Sequence, residues 1–415
     1  MSSPKLIAII GATGTGKSEL AVSLAQRFNG EILNADAMQL YEGLPIITNK
    51  IPVSERHNIP HHLLGTIPLS AQPWTVSAFV TSALLTIAAV RSRGRLPILV
   101  GGTHYYTQAL LFHSSLATST DSDSEDDDST TITAEDDPIL SAPTETILAK
   151  LAEVDPTMAA RWHPRDRRKI QRSLQIYLQT GRPASELYAE QAEAAPELRC
   201  PTLVLWPHAS PAALPARLDA RVDTMLDAGL VEEVRTLAAY AGSHEVDTSA
   251  GIWVAIGYKE FVPVLAAGGE AGGRAFGEAV EATKAATRRY AKRQVRWIRL
   301  KLGPALRMAR GRGMYLLDSS DVGRFREDVV APAEELVERF MSEEDMPNPL
   351  SVGGALAKEM LAAQKEKGEK WVTQTCEACG VVGTTESDWR QHVASRRHKK
   401  LVAKARHEHR QQEGE

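Results

Sequence analysis

Short apolar runs broken by glycine loops recur along the first quarter of the chain. Leu6-Ile7-Ala8-Ile9-Ile10 contains no polar residue, as a strand buried on both faces requires, and runs into Gly11. From Glu19 to Phe28 the apolar spacing becomes helical. Glu31-Ile32-Leu33-Asn34-Ala35 reads as a second strand that delivers Asp36 at its carboxyl end. Ser77 to Val90 is again helical, and Leu96-Pro97-Ile98-Leu99-Val100 is a buried strand ending in Gly101-Gly102-Thr103. This alternation predicts an α/β fold, a parallel sheet flanked by helices, with ligands beyond the carboxyl ends of the strands.

Further along, residues 145–187 are helical in pattern and Pro201 to Trp206 returns to the sheet. Helices are expected over 212–226, 230–240 and 278–302, with Gly- and Ala-rich connections at 241–250 and 266–274. The expected organisation is a catalytic core over 1–113, an acidic disordered insertion over 114–147 and a helical insertion over 148–199. The rest of the core follows over 200–318, then a linker over 319–369 and a small module over 370–410.

Composition changes this picture in one respect. The chain has 415 residues, 43% of them hydrophobic, and a mean hydropathy of -0.24. No run approaches the roughly 20 apolar residues of a membrane span. The first strand is reached by Leu6 and there are three cysteines, so a chain without a leader in a reducing, cytoplasmic setting is expected. The net charge of -4 conceals an asymmetry. Ten acids and no Lys or Arg fall within 114–147, leaving 48 basic against 42 acidic residues elsewhere. A basic body with an acidic tract suits a nucleic-acid partner.

Gly11-Ala12-Thr13-Gly14-Thr15-Gly16-Lys17-Ser18 fits G-x-x-x-x-G-K-[ST] between a strand and a helix. Its glycines let backbone N–H groups turn around a phosphate, Lys17 reaches an anionic oxygen, and the Ser18 hydroxyl suits Mg²⁺. The motif names a polyphosphate group without naming its carrier. Asp36 is a candidate general base, or a capping or Mg²⁺-associated carboxylate. The strand at 96–100 has no acid after it where an ATPase would carry one, and Thr103 instead offers a hydroxyl.

Two runs are almost free of acids. One is Arg161, Arg165, Arg167, Arg168, Lys169 and Arg172; the other is Lys284, Arg288, Arg289, Lys292, Arg293, Arg296, Arg299 and Lys301. Each could be a solvated face, but two together point to phosphate-backbone contact. Cys376-x₂-Cys379-x₁₂-His392-x₅-His398 has the ligand types and spacing of a Cys₂His₂ Zn²⁺ site. Residues 370–410 hold nine basic and four acidic groups, which favours nucleic-acid contact there too. The long x₅ gap resembles the matrin/U1-type fingers.

Several stretches, in order, resemble the tRNA dimethylallyltransferase family in its eukaryotic form with an appended finger. They are Gly11 to Ser18, Asn34 to Tyr41, Leu44 to Lys50, Ile59 to Leu64, Pro97 to Thr103, His163 to Arg172, Arg221 to Leu226, Ala255 to Glu260 and Thr287 to Gln294. The resemblance covers most of residues 5–300. It implies a P-loop that holds dimethylallyl diphosphate, and a monomeric enzyme that prenylates N6 of the adenosine 3′ of the anticodon. Nuclear or mitochondrial pools are compatible with it. It implies that Asp36 accepts or orients the N6 proton, that Thr103 hydrogen-bonds at the reaction centre, and that Gly11, Thr13, Gly14, Thr15, Gly16, Lys17 and Ser18 hold the donor. Arg217 or Arg221 would be a further diphosphate clamp. tRNA contacts would come from Asp36, Ala37, Met38, Gln39, Arg168, Lys169, Gln171 and Arg172, with Arg288, Lys292 and Arg293 on the second basic run. The rival readings are a P-loop small-molecule kinase, an isopentenyltransferase acting on free adenine nucleotides, and a non-catalytic RNA-binding protein with a decayed P-loop.

Overall fold

The computed structural model describes residues 4–113, 137–193, 196–268, 273–309, 313–361 and 371–402. The chain divides into two compact units, 1–129 with 195–362, and 130–194 with 363–415.

The first unit is built on six strands: β1 (Leu6–Ile9), β2 (Gly30–Asn34), β3 (His61–His62), β4 (Leu96–Val100), β5 (Thr202–His208) and β6 (Met314–Asp318). They pair in the order β3-β2-β4-β1-β5-β6, every neighbour parallel. Successive side chains alternate between two buried faces: Leu6, Ala8 and Ile10 join one cluster, Ile7 and Ile9 the other. Burial on both sides is why these strands read as continuous apolar runs.

The helices in chain order are α1 (Lys17–Arg27), α2 (Val76–Ser92), α3 (His104–Leu111), α4 (Thr144–Val154), α5 (Pro156–Arg161), α6 (Arg167–Thr180), α7 (Ala184–Glu193), α8 (Leu214–Asp227), α9 (Leu230–Ser243), α10 (Tyr258–Ala266), α11 (Arg274–Trp297), α12 (Gly303–Met308), α13 (Ala331–Met341), α14 (Gly354–Leu361) and α15 (Glu386–Ala394). Helices α4 to α7 and α15 belong to the second unit. In the first, α1 and α13 cover one sheet face, while α2, α3, α9, α10 and α14 contribute to the cluster on the other.

Three expectations differ from the structure. Residues 145–187, helical in pattern as expected, form four helices, because Pro156 opens a new helix and Asp155 caps it, its Oδ1 accepting from Met158 N at 3.1 Å. The helix expected over 278–302 ends at Trp297, and a π-type turn, Ile298–Leu302, links it to α12. The disordered insertion expected to reach 147 stops earlier: Leu140 and Ile147 are buried, and Asp137 caps the 3₁₀ turn Pro138–Ser141. Residues 114–136 of that insertion lie outside the described residues. The stretch expected as a linker from 319 contributes to the core up to 361: Phe325, Val329, Leu336, Val337 and Phe340 pack with the sheet, as do Ala357 and Met360 on its other face. Its apolar residues are spaced among acids, which masks them in composition.

The second unit has its own core of Leu140, Ile147, Leu151, Met158, Trp162, Ile170 and Leu174. It also holds a hairpin, β7 (Trp371–Thr375) with β8 (Val382–Thr385), antiparallel and followed by α15. Among the described residues no helix is long and apolar enough to cross a membrane.

Candidate active site

The phosphate loop joins β1 to α1 and bends in ways that only glycine tolerates. Gly14 and Gly16 have φ of 79° and 81°. A Cβ on Gly14 would lie 2.8 Å from Leu218 Cδ2, and one on Gly16 would enter the Phe325 ring. Gly16 caps α1 with no side-chain acceptor, so the first-turn N–H groups stay directed outward. Thr15 Oγ1 donates to Ala12 O at 2.9 Å, and Lys17 Nζ donates to the same carbonyl at 2.7 Å. Ser18 is exposed on the first turn.

Asp36 follows β2. Asn34 orients it by accepting from Asp36 N at 3.0 Å through Oδ1, while its Nδ2 donates to Asp36 O and Leu63 O. Asp36 Oδ1 accepts from Met38 N at 3.1 Å. Burial raises the Asp36 pKa, opposed by the charges of Lys17 and Arg221. Burial likewise lowers Lys17 to about 8, with Asp36 opposing and Arg221 assisting. Lys17, Asp36 and Arg221 are half-buried and feel one another's charge, so they border one shared site, the cleft between the phosphate loop and the Asp36 loop.

Thr103 connects two loops: its Oγ1 accepts from Ala37 N at 3.0 Å and its N–H donates to Ala35 O at 3.2 Å. Gly101 and Gly102 make this approach possible, since a Cβ on the first would strike Ala35 O and one on the second would lie 3.1 Å from Asp36 Oδ2. Ala37, Met38 and Gln39 are half-buried just beyond Asp36, and Gln39 Nε2 donates to Thr48 O and Asn49 O.

The two arginines of α8 behave differently. Arg221 donates to Thr13 Oγ1 at 2.9 Å and to Asn49 Oδ1 at 2.8 Å. Arg217 spends its donors on backbone, reaching Gly14 O at 3.1 Å, Ser319 O at 2.9 Å and Ser320 O at 3.0 Å. Arg221 faces the cleft; Arg217 braces the loop.

Two buried residues carry no sequence signal of their own. Gln294 of α11, 4% exposed, accepts from Thr13 N at 2.8 Å and donates to Gly102 O at 3.0 Å. It sits in the cation-rich run, where charge draws the eye, although Ala291 and Ile298 at helical spacing mark the inward face. His104 is 3% exposed with both ring nitrogens unpartnered, and burial, assisted by Lys17, lowers its pKa to about 3. It is a neutral imidazole next to Thr103.

The basic runs divide by role. On α11, Lys292 and Arg293 are exposed, but Arg288 is paired with Asp219 and Lys284 with Asp223 at 2.7 Å. In the second unit, Arg168 is exposed and Gln171 and Arg172 are half-buried. Lys169 pairs with Asp166 at 3.4 Å and lies over the Trp162 ring. Arg167 is structural, donating to Leu140 O and Ala142 O.

Cys376, Cys379, His392 and His398 converge, all four ligand atoms within 4.8 Å of one another. The sulfurs are 3.5 Å apart, and His398 Nδ1 lies 3.3 Å from Cys379 Sγ and 3.1 Å from His392 Nε2. Such separations approach the about 3.3–3.8 Å between ligands of a tetrahedral ion with bonds of about 2.0–2.3 Å. Two thiolates and two imidazoles make a donor set suited to zinc.

A phosphate loop on a parallel sheet, with a carboxylate facing it and Gly-Gly-Thr in place of an acid after β4, defines a P-loop transferase. Residues 39–301 match the family model described as IPP transferase, residues 4–56 one described as isopentenyl transferase, and residues 375–398 one described as zinc-finger of C2H2 type. The tRNA dimethylallyltransferase of Saccharomyces cerevisiae is 36% identical over 96% of this chain and 92% of its own. That of Homo sapiens is 34% identical over 97% and 86%. A solved eukaryotic dimethylallyltransferase acting on tRNA is 34% identical, with a TM-score of 0.83 over 99% of both chains. The full-length tRNA isopentenylpyrophosphate transferase of Bacillus halodurans is 28% identical, with a TM-score of 0.55 over 82% of this chain and 97% of its own. The chain belongs to the IPP transferase family.

Proposed function

We propose that the protein transfers the dimethylallyl group of dimethylallyl diphosphate to N6 of the adenosine 3′ of the anticodon in tRNA. The observation that carries this reading is the joining of the phosphate loop, the Gly-Gly-Thr loop and the Asp36 loop by Gln294 and Thr103, which brings a carboxylate to a phosphate cradle. The N6 lone pair attacks C1 of the allyl group, the C1–O bond breaks, and diphosphate leaves. Asp36 accepts the proton that N6 loses, held for this by Asn34 and the Met38 N–H. Lys17, the loop amides and Arg221 receive the charge that grows on the leaving group. The Thr103 hydroxyl lies between the Asp36 loop and the β4 end, where it can orient the amine. His104 is buried beside Thr103, and that burial, assisted by Lys17, keeps its imidazole uncharged.

The exposed Ser18 hydroxyl is a hard oxygen ligand that suits Mg²⁺, which would neutralise diphosphate charge. The four ligands at 376–398 would hold zinc and stabilise the finger. Lys292 and Arg293 on α11, and Arg168, Lys169, Gln171 and Arg172 on α6, would supply contacts for an RNA acceptor. An acceptor base inside a stacked anticodon loop must be extruded to reach such a cleft.

Incubation with radiolabelled dimethylallyl diphosphate, Mg²⁺ and either unmodified tRNA or AMP tests the reading. Label on tRNA alone is expected. Label on AMP but not tRNA, or none on either, overturns it.

A further inference from the structure

Gln294 is the only described side chain shown to bridge the phosphate loop and the Gly-Gly-Thr loop through both ends of one amide. Its Oε1 holds Thr13 N–H at 2.8 Å and its Nε2 holds Gly102 O at 3.0 Å, partners 281 and 192 residues away in sequence. The amide is buried, and Thr13 is also the residue whose hydroxyl takes Arg221. Thr103, next to Gly102, fixes the Asp36 loop through Ala37 N. The chain of contacts is therefore Arg221 and the loop at 11–18, then Gln294, then Gly102-Thr103, then Asp36.

We propose that Gln294 is a positioning residue for alkyl transfer. It sets the separation between the cradle that holds the leaving diphosphate and the carboxylate side that receives the amine proton. Displacement at carbon needs nucleophile, carbon and leaving oxygen nearly in line, so an error in that separation costs rate rather than binding. Helix α11 is a suitable mount. It is tied to α8 by the Arg288–Asp219 and Lys284–Asp223 pairs, and α8 carries both Arg217 and Arg221. One ion-paired couple of helices thus presents the arginines and the spacer amide together. A helix-borne residue holds geometry better than a loop residue.

The inference rests on the transfer reading above, and the test separates the two. Gln294→Glu keeps the length and the acceptor for Thr13 N–H but replaces the donor to Gly102 O with a second acceptor. Gln294→Asn keeps the amide but is one methylene too short to span both loops. Both variants are assayed beside the wild type for kcat per folded enzyme, KM for tRNA, KM for dimethylallyl diphosphate and melting midpoint. The expected result is a fall in kcat of about 10- to 100-fold in each variant, with the tRNA KM unchanged. Wild-type kcat in either folded variant, or a loss confined to tRNA KM, overturns the proposal. A loss of kcat that merely tracks the folded fraction overturns it as well. Failure of the wild type to label tRNA would instead sink the functional reading itself.

Discussion

At the scale of single residues, the cleft is an electrostatic balance among three groups. Asp36→Asn keeps the shape and removes the base, so kcat should fall by about 100-fold or more with little change in tRNA affinity. Equal losses in kcat and tRNA binding would make Asp36 structural. The pH dependence of kcat/KM for the donor, which reports the free enzyme, should be bell-shaped. Lys17, lowered to about 8 chiefly by burial, loses its proton above that pH, so the alkaline limb should fall near 8. Asp36, raised by burial, must be ionised to accept a proton, so the acid limb should lie above the ordinary carboxylate range. A profile flat to pH 10 would contradict the Lys17 assignment. The two arginines should also separate. Arg221→Ala should raise donor KM with a small change in melting midpoint. Arg217→Ala should lower the midpoint as well, because it leaves Gly14, Ser319 and Ser320 carbonyls without their donor. Identical phenotypes would show that both contact the diphosphate.

At the scale of elements, the C-terminal part of the first unit supports the phosphate loop. Phe325 is 7% exposed, and its ring occupies the space beside Gly16 that a Cβ would need. Phe325→Ala should destabilise the protein by about 3 kcal/mol, read from urea unfolding, and raise donor KM because the loop loses its backing. A neutral effect would return this stretch to the status of a linker. The sequence conceals this role because the helix it introduces, α13, mixes its apolar face with Glu334, Glu335 and Glu338. Helix α11 shows the converse: its outward cations are evident in the sequence, while inward Gln294 is one uncharged residue among them. The P-loop strand, turn and helix, by contrast, were legible almost to the residue, since each is specified by contiguous side chains.

At the scale of the molecule, the finger shares a compact unit with the helical insertion, while the cleft lies wholly within the other unit. A zinc-selective chelator, added at constant excess Mg²⁺, should therefore abolish the order of residues 371–402 and weaken tRNA binding, while donor KM stays unchanged. Circular dichroism, zinc release and kinetics read the three outcomes. A rise in donor KM on chelation would show that the finger supports the cleft.

By itself the sequence determined the parallel α/β core, the phosphate loop, the placement of Asp36 and Thr103 beyond strand ends, and the convergent Cys₂His₂ set. Each of these is carried by short spacing or by strand periodicity, which local chemistry enforces. Only the tertiary structure decided which arginine of α8 faces the cleft, which residue spans its two loops, and that residues 325–361 contribute to the core. Those facts depend on partners about 100 to 300 residues apart, such as Arg217 with Ser319 and Thr13 with Gln294, and no local pattern encodes such a meeting.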